Sequence, residues 1–291
     1  MVIETMRSVL VKTPDADTRV DAPPARPGTR APRQRWSDGL GSAIWLAPVT
    51  FGLALIVCWE ALTHIAHLSP LLLPTPESVA SAFWNGLSNG MLAQGAATTL
   101  GESLAGFALG AVVALPVGYI VARSRWLGWA IQPYLAASQA LPAVALAPLF
   151  VVWLGYGLPP IAALGALIVF FPATITTTLG LRALDHEVLD AARVDGAGRW
   201  ALLRSIELPL ALPAILAGLR TSLTLSITGA VVGEFVLGGS GVGLGSLLTV
   251  ALNRFDTPSL FAILVALALL ASSLYGIARL IERRFSYMEE R

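Results

Sequence analysis

The sequence predicts an all-α membrane protein that crosses the bilayer six times, and three observations carry that prediction. First, 55% of its 291 residues are hydrophobic and 13% are charged, with a mean hydropathy of +0.72. A soluble domain carries roughly 25% charged residues, so lipid has to be the solvent for much of this chain. Second, apolar runs near 43–63, 104–122, 133–154, 160–180, 211–236 and 259–281 each approach the roughly 20 residues a helix needs to span about 30 Å of hydrocarbon. Third, six spans place seventeen of the nineteen basic residues on one face.

Residues 1–42 are polar and rich in Pro, Arg, Asp and Ala. They read as a disordered tail. No apolar run directly follows a short basic start, so a secretory signal is not expected. The spans follow over 43–285, leaving 286–291 as a short C-terminus. The basic residues fall in the tail, at Arg123 and Arg125 after span two, at Arg182, Arg193, Arg199 and Arg204 after span four, and at Arg279, Arg283, Arg284 and Arg291. By the positive-inside rule both termini and the loop at 185–209 are expected in the cytoplasm. Gly155 to Pro160 read as a hairpin between spans three and four.

On the opposite face, Leu73-Pro74-Thr75-Pro76-Glu77 fits a turn with Pro76 at the first helical position. A short interfacial helix over 77–88 is expected, with Phe83 and Trp84 at the headgroups. After span five, the glycines of 238–245 allow tight or re-entrant backbone where protein covers it.

Several chemistries are excluded. The only lysine is Lys12, in the tail, so no Gly-Lys-Ser/Thr phosphate loop exists. The glycines at 238–245 do not match dinucleotide spacing. A net charge of +1 gives no field for nucleic acid. Cys58 is alone and reads as an inert buried thiol. His64 and His67 share a helix face without a third ligand, so no metal site is expected. No nucleophile, histidine and acid converge within the spans, so no catalytic residues are assigned.

The stretch 190–209, DAARVDGAGRWALLRSIELP, is the most polar of its length outside the tail. Asp195-Gly196 is a turn dipeptide, and Gly196 and Gly198 interrupt a helix. A short helix ending there and another starting near Arg199 form an elbow with small residues, Ala191 and Ala192, at its corner. Trp200, Leu203 and Ile206 make an apolar stripe on the second piece, and Pro209 and Pro213 mark where span five begins. From pattern alone, a docking elbow and an ordinary loop with an interfacial helix both remain open.

The same stretch resembles the EAA loop of ABC-importer permeases: Glu-Ala-Ala, three residues, Gly, nine residues, Ile-x-Leu-Pro. Asp190, Ala191, Ala192, Gly196, Ile206, Leu208 and Pro209 stand at that spacing, with Asp190 in place of Glu. The resemblance covers about 43–285 and implies the type I ABC-importer permease fold. It implies that the loop docks on a separate cytoplasmic ATPase, which binds ATP and Mg, so that this chain holds no cofactor and is not itself an enzyme. It implies that Asp190, Ala191, Ala192, Asp195, Gly196, Arg199 and Trp200 form the coupling site: Gly196 permits close approach, Asp190 and Arg199 offer charged contacts, and Trp200 packs beneath. The implied partners are the ATPase subunits, an extracytoplasmic solute-binding protein and a second permease copy, a homodimer in a bacterial inner membrane. Ser138-Gln139-Ala140-Leu141-Pro142, Ala147-Pro148-Leu149-Phe150, Trp153-Leu154-Gly155-Tyr156-Gly157 and Phe170-Phe171-Pro172 are similar to the nitrate, sulfonate and taurine group. Within it they are most similar to the branch for thiamine-pyrimidine precursors or riboflavin.

Intramembrane polar residues are the candidate pathway groups. Gln139 either hydrogen-bonds a passing substrate or ties two helices together. Glu234 either lines the mouth or gate or makes a structural hydrogen bond. Glu60 and Arg220 are expected to snorkel, and the hydroxyls of Thr174, Thr176, Thr177 and Thr178 to bond their own backbone. The rival reading is an ion-driven carrier or channel, which calls for mid-membrane charges and internal repeats; few charges and no clear repeat are present.

Overall fold

The computed structural model describes residues 47–65, 69–138, 142–237 and 243–289. In chain order the helices are α1 (Ala47–Ile65), α2 (Pro76–Ser88), α3 (Met91–Arg123), α4 (Arg125–Ser138), α5 (Ala143–Leu154), α6 (Leu158–Arg182), α7 (His186–Val194), α8 (Arg199–Leu202), a π turn over Leu203–Glu207, α9 (Leu208–Leu237), α10 (Leu244–Asn253) and α11 (Thr257–Glu289). No strand occurs among the described residues.

Five stretches are long and apolar enough to cross a bilayer: Ala47–Ile65, Met91–Arg123, Leu158–Arg182, Arg199–Val236 and Thr257–Arg284. The apolar length expected as a single third span is divided between α4 and α5. Pro142 stands at the α5 N-cap with extended backbone, a position that does not need the N–H its ring lacks. The second span starts earlier than hydropathy suggests. Thr99, Glu102 and Ser103 in its first half depress the local hydropathy, yet all three are buried against protein. α10 lies where no helix was expected. It is apolar but only ten residues long, too short to span.

The core is a three-helix packing of α3, α6 and α9 through small residues, which let backbones approach closely in lipid. Gly106, Gly165 and Gly229 form the crossing point: a Cβ on Gly229 would lie 2.7 Å from the Gly165 Cα, and one on Gly106 would lie 3.0 Å from the same atom. Ala114, Val169 and Ala173 continue the contact, flanked by Phe107, Phe170 and Leu219. A second cluster, Leu92, Leu244, Leu247, Ala251, Ile263 and Ala266, seats α10 against α3 and α11. The outward faces of α3, α9 and α11 remain apolar and exposed, as at Val112, Leu210 and Leu269.

Thr75 caps α2, its hydroxyl accepting from the Ser78 N–H at 3.3 Å, with Pro76 in the first turn. Trp84 is exposed, while Phe83 packs on the second cluster. The α5–α6 hairpin turns through Gly155 and Gly157, both at positive φ (78° and 98°), where a side chain would be strained.

Some polar placements differ from expectation. Arg220 is paired within the protein: its Nη1 lies 2.5 Å from Glu282 Oε2, and its guanidinium sits over the Tyr275 ring at 5.0 Å. Glu282 is an acid on α11 that gives Arg220 a partner within the protein. Cys58 is exposed, because α1 leaves most of its side chains outward. Glu60 is paired with His64 at 2.7 Å one turn away. Thr176 and Thr178 bond backbone carbonyls of their own helix; Thr174 and Thr177 find no hydrogen-bond partner among the described residues. His67 and the glycines of 238–242 lie outside the described residues.

Candidate coupling elbow

The elbow begins with Asp185, whose carboxylate accepts from the Glu187 N–H at 2.9 Å and caps α7. Leu189 is buried and fixes the inner face. α7 ends in a Schellman turn. The Gly196 N–H donates to the Arg193 carbonyl (3.1 Å) and the Ala197 N–H to the Ala192 carbonyl (3.0 Å). Gly196 has φ +87° and nothing within 4 Å of where a Cβ would stand. The turn thus demands glycine for its backbone, while the space around it is open.

The two pieces behave as the turn dipeptide requires, and α8 starts at Arg199. The expected apolar stripe does not form the inner face. Trp200 is 72% exposed and does not pack beneath the elbow; Leu202, at 2%, takes that place. Leu202 and Glu207, five residues apart, are the buried positions here, and the π turn over Leu203–Glu207 brings them onto one face. Pro209 supplies its cause: in an α-helix its ring would meet the carbonyl four residues back. Pro209 and Pro213 therefore do not separate the elbow from span five. α8, the π turn and α9 run as one apolar stretch of 38 residues, Arg199–Val236.

Asp190, Ala191, Ala192, Asp195, Gly196, Arg199 and Trp200 are gathered on this elbow. Asp190 is taken up locally by Arg193 at 2.6 Å. With Val194 at 87% exposure beside Trp200, the corner presents two bare apolar side chains among charges. A pair that the sequence reading did not join, Arg123 and Glu207, anchors its exit. Glu207, 3% exposed, meets Arg123 Nη2 at 2.9 Å. Arg123 also donates from Nε to the Tyr119 hydroxyl at 3.3 Å. The signal was present: an acid between Ile206 and Leu208 at a span's edge needs a cation, and Arg123 closes span two.

Glu234 sits near the other end of α9, about 50 Å from Arg199 by helical rise. It is fully buried. Its Oε1 accepts from the Thr99 hydroxyl at 2.6 Å, and its Oε2 from the N–H groups of Gly245 (2.6 Å) and Ser246 (3.2 Å). The Thr99 oxygen in turn accepts from the Leu244 N–H at 2.9 Å. The carboxylate therefore caps the N-terminus of α10, where free N–H groups favour an anion, and joins it to α3. A side chain on Gly243 would collide with this carboxylate. Gln139 lies outside the described residues. No group of three or more His, Cys, Asp or Glu placed to hold a metal occurs among the described residues.

Comparison with known proteins shows the family of the chain. Residues 114–287 match the family described as binding-protein-dependent transport system inner membrane component. The chain is 47% identical over 236 residues to the riboflavin transport system permease protein RibX of Chloroflexus aurantiacus, covering 81% of this chain and 87% of that one. It is 33% identical over 230 residues to a probable ABC transporter permease protein of Haemophilus influenzae, covering 79% and 92%. It is 33% identical to the formylaminopyrimidine transport permease protein ThiX of Halalkalibacterium halodurans, covering 77% and 88%. In fold it is similar to a chain of the inward-facing MetNI methionine ABC transporter, with a TM-score of 0.60 at 20% identity, covering 67% of this chain and 96% of that one. The chain belongs to the binding-protein-dependent transport inner membrane component family, the membrane-embedded permease subunits of ABC importers.

Proposed function

We propose that this permease carries a flavin across the membrane, with riboflavin as the substrate, and that its elbow is where a separate ATPase drives it. The observation that carries the coupling reading is the unbroken stretch from Arg199 to Val236. A displacement passed from the corner to Arg199 meets no further loop before it reaches Glu234 and α10.

In this reading the ATPase receives the exposed corner, with Val194 and Trp200 as apolar contacts and Arg199 as a charged one. ATP chemistry belongs to that subunit. A second copy of this chain completes the path, and a soluble binding protein delivers substrate to the face opposite the elbow. The termini and the elbow lie in the cytoplasm of a bacterial inner membrane, as the arginine distribution favours. Two states of the helix bundle are then biased by nucleotide on one face and by loaded binding protein on the other.

Riboflavin is favoured over pyrimidine precursors and sulfonates because the RibX relative is 47% identical, against 33% for the ThiX relative and 29% for a sulfonate permease protein SsuC of Bacillus subtilis. The test is uptake of labelled riboflavin by a flavin-requiring host that expresses this chain with its ATPase and binding protein. Growth and uptake at low external riboflavin support the reading. Uptake of a sulfonate or an aminopyrimidine, with none of riboflavin, would replace the substrate and leave the coupling intact.

A further inference from the structure

Beside the elbow, the helix ends gather positive charge that coupling does not use. A cavity of about 670 Å³ is lined by Arg123, Arg125, Arg182 and Arg193, and among the described residues Glu207 is the one carboxylate in its wall. Glu207 is already taken by Arg123, and Arg193 reaches out to Asp190. Arg125 and Arg182 have no carboxylate within ion-pair distance among the described residues. Arg182 donates from Nη2 to the Val121 carbonyl at 2.9 Å, a neutral partner that leaves its charge uncompensated. Guanidinium groups stay charged at any accessible pH and present paired donors that match phosphate. The cavity is therefore complementary to a phosphate anion.

A second feature, independent of the charge, narrows the source of that phosphate. A largely apolar groove of about 400 Å³ runs between α4 and α6, lined by Val121, Leu135, Ile175 and Leu179 with the uncharged Gln132 and Thr178, and it shares Arg182 with the basic cavity. Gly128 keeps the junction open, since a side chain there would collide with the Arg182 guanidinium. α4 also exposes Trp126, Trp129 and Tyr134, Trp129 in the wall of the basic cavity, side chains suited to the headgroup level of a bilayer. A water-soluble phosphate would use the cavity and have no use for the groove. A ligand with a phosphate head and an alkyl tail fits both.

We propose that the basic cavity at the elbow and the groove joined to it through Arg182 hold an anionic phospholipid, its phosphate among the arginines and one acyl chain along α4 and α6. Basic pockets between membrane helices at the cytoplasmic level are suited to such headgroups. The lipid would fill the space between the elbow and the helix ends, so membrane composition would bear on how firmly the elbow is seated. The inference rests on the orientation proposed above.

The test is native mass spectrometry of the full-length chain, purified with its ATPase, titrated with phosphatidylglycerol, phosphatidylcholine, or glycerophosphoglycerol, which has the same head without tails. Phosphatidylglycerol is expected to be retained at least tenfold better than phosphatidylcholine. R125Q should weaken it about fivefold and R125Q/R182Q roughly 30-fold. L179W, which fills the groove without touching a charge, should also weaken it, whereas R254Q, outside the cavity, should not. R125Q alone keeps the test sound if loss of the Arg182–Val121 bond perturbs folding. Equal retention of the two lipids, or an R125Q chain that binds like the parent, overturns the inference. Glycerophosphoglycerol competing as well as the intact lipid overturns the lipid assignment in favour of a soluble phosphate ester. Lipid indifference with the ATPase still bound ends this inference and leaves the coupling reading standing.

Discussion

A carboxylate without solvent has to be satisfied by donors, and at Glu234 three of them converge: one hydroxyl and two backbone N–H groups. Removing the carboxylate strands all three, and each buried orphan costs about 1–3 kcal/mol. E234A should therefore lower the thermal unfolding midpoint of the purified chain substantially. E234Q, which keeps a carbonyl oxygen and the side chain's shape, should cost less than half as much. An E234A midpoint equal to the parent's would mean that this latch contributes little. The sequence could mark Glu234 as costly in lipid, but not name its partners. Thr99 lies 135 residues away, and the Gly245 donor is backbone on a helix that hydropathy did not reveal.

The elbow is the element where residue pattern and geometry agree most closely. Asp195-Gly196 predicts a break, and Gly196 at φ +87° is the break. Spacing located both pieces because turn chemistry is local. It did not locate the buried side chain, because apolarity alone does not tell Trp200, which points outward, from Leu202, which points in. Nor could it show that the second piece continues into the span. At this scale the Arg123–Glu207 pair is the joint between elbow and bundle. R123A leaves a buried carboxylate alone; because the arginine is partly exposed, the loss is expected to be about 2 kcal/mol, below the full cost of breaking a buried pair. R123K, which keeps the charge without the guanidinium fork, should recover part of it. Denaturant unfolding of the three chains in detergent checks the order, and an R123A chain as stable as the parent would show that the joint is not structural.

For the molecule as a whole, composition alone announced a membrane protein, and long apolar runs located most of the helices that cross. Two features stayed hidden for a shared reason: hydropathy averages over a window and is blind to which side faces protein. The buried polar positions in the first half of α3 and the short α10 are both covered by neighbouring helices, so neither resembles a lipid-facing span. The glycines that hold α3, α6 and α9 together were likewise silent, since a close approach depends on residues far apart in the chain. Gly229→Leu should drive these helices apart at Gly165, costing about 1–3 kcal/mol by overpacking, and should reduce the yield of folded chain by size-exclusion chromatography. An unchanged elution profile and midpoint would contradict the packing described for this crossing.

In the proposed mechanism the elbow is the point through which a separate motor works the membrane helices. The most direct test is riboflavin uptake into proteoliposomes holding this chain, its ATPase and its binding protein, with Gly196→Trp compared against the parent. The parent should take up riboflavin only with ATP. The Trp variant, strained at positive φ and bulky at the docking corner, should insert and fold yet show neither ATP-driven uptake nor retained ATPase. ATP-driven uptake by the Trp variant at the parent's rate, or uptake by the parent that tracks an ion gradient without ATP, would contradict it.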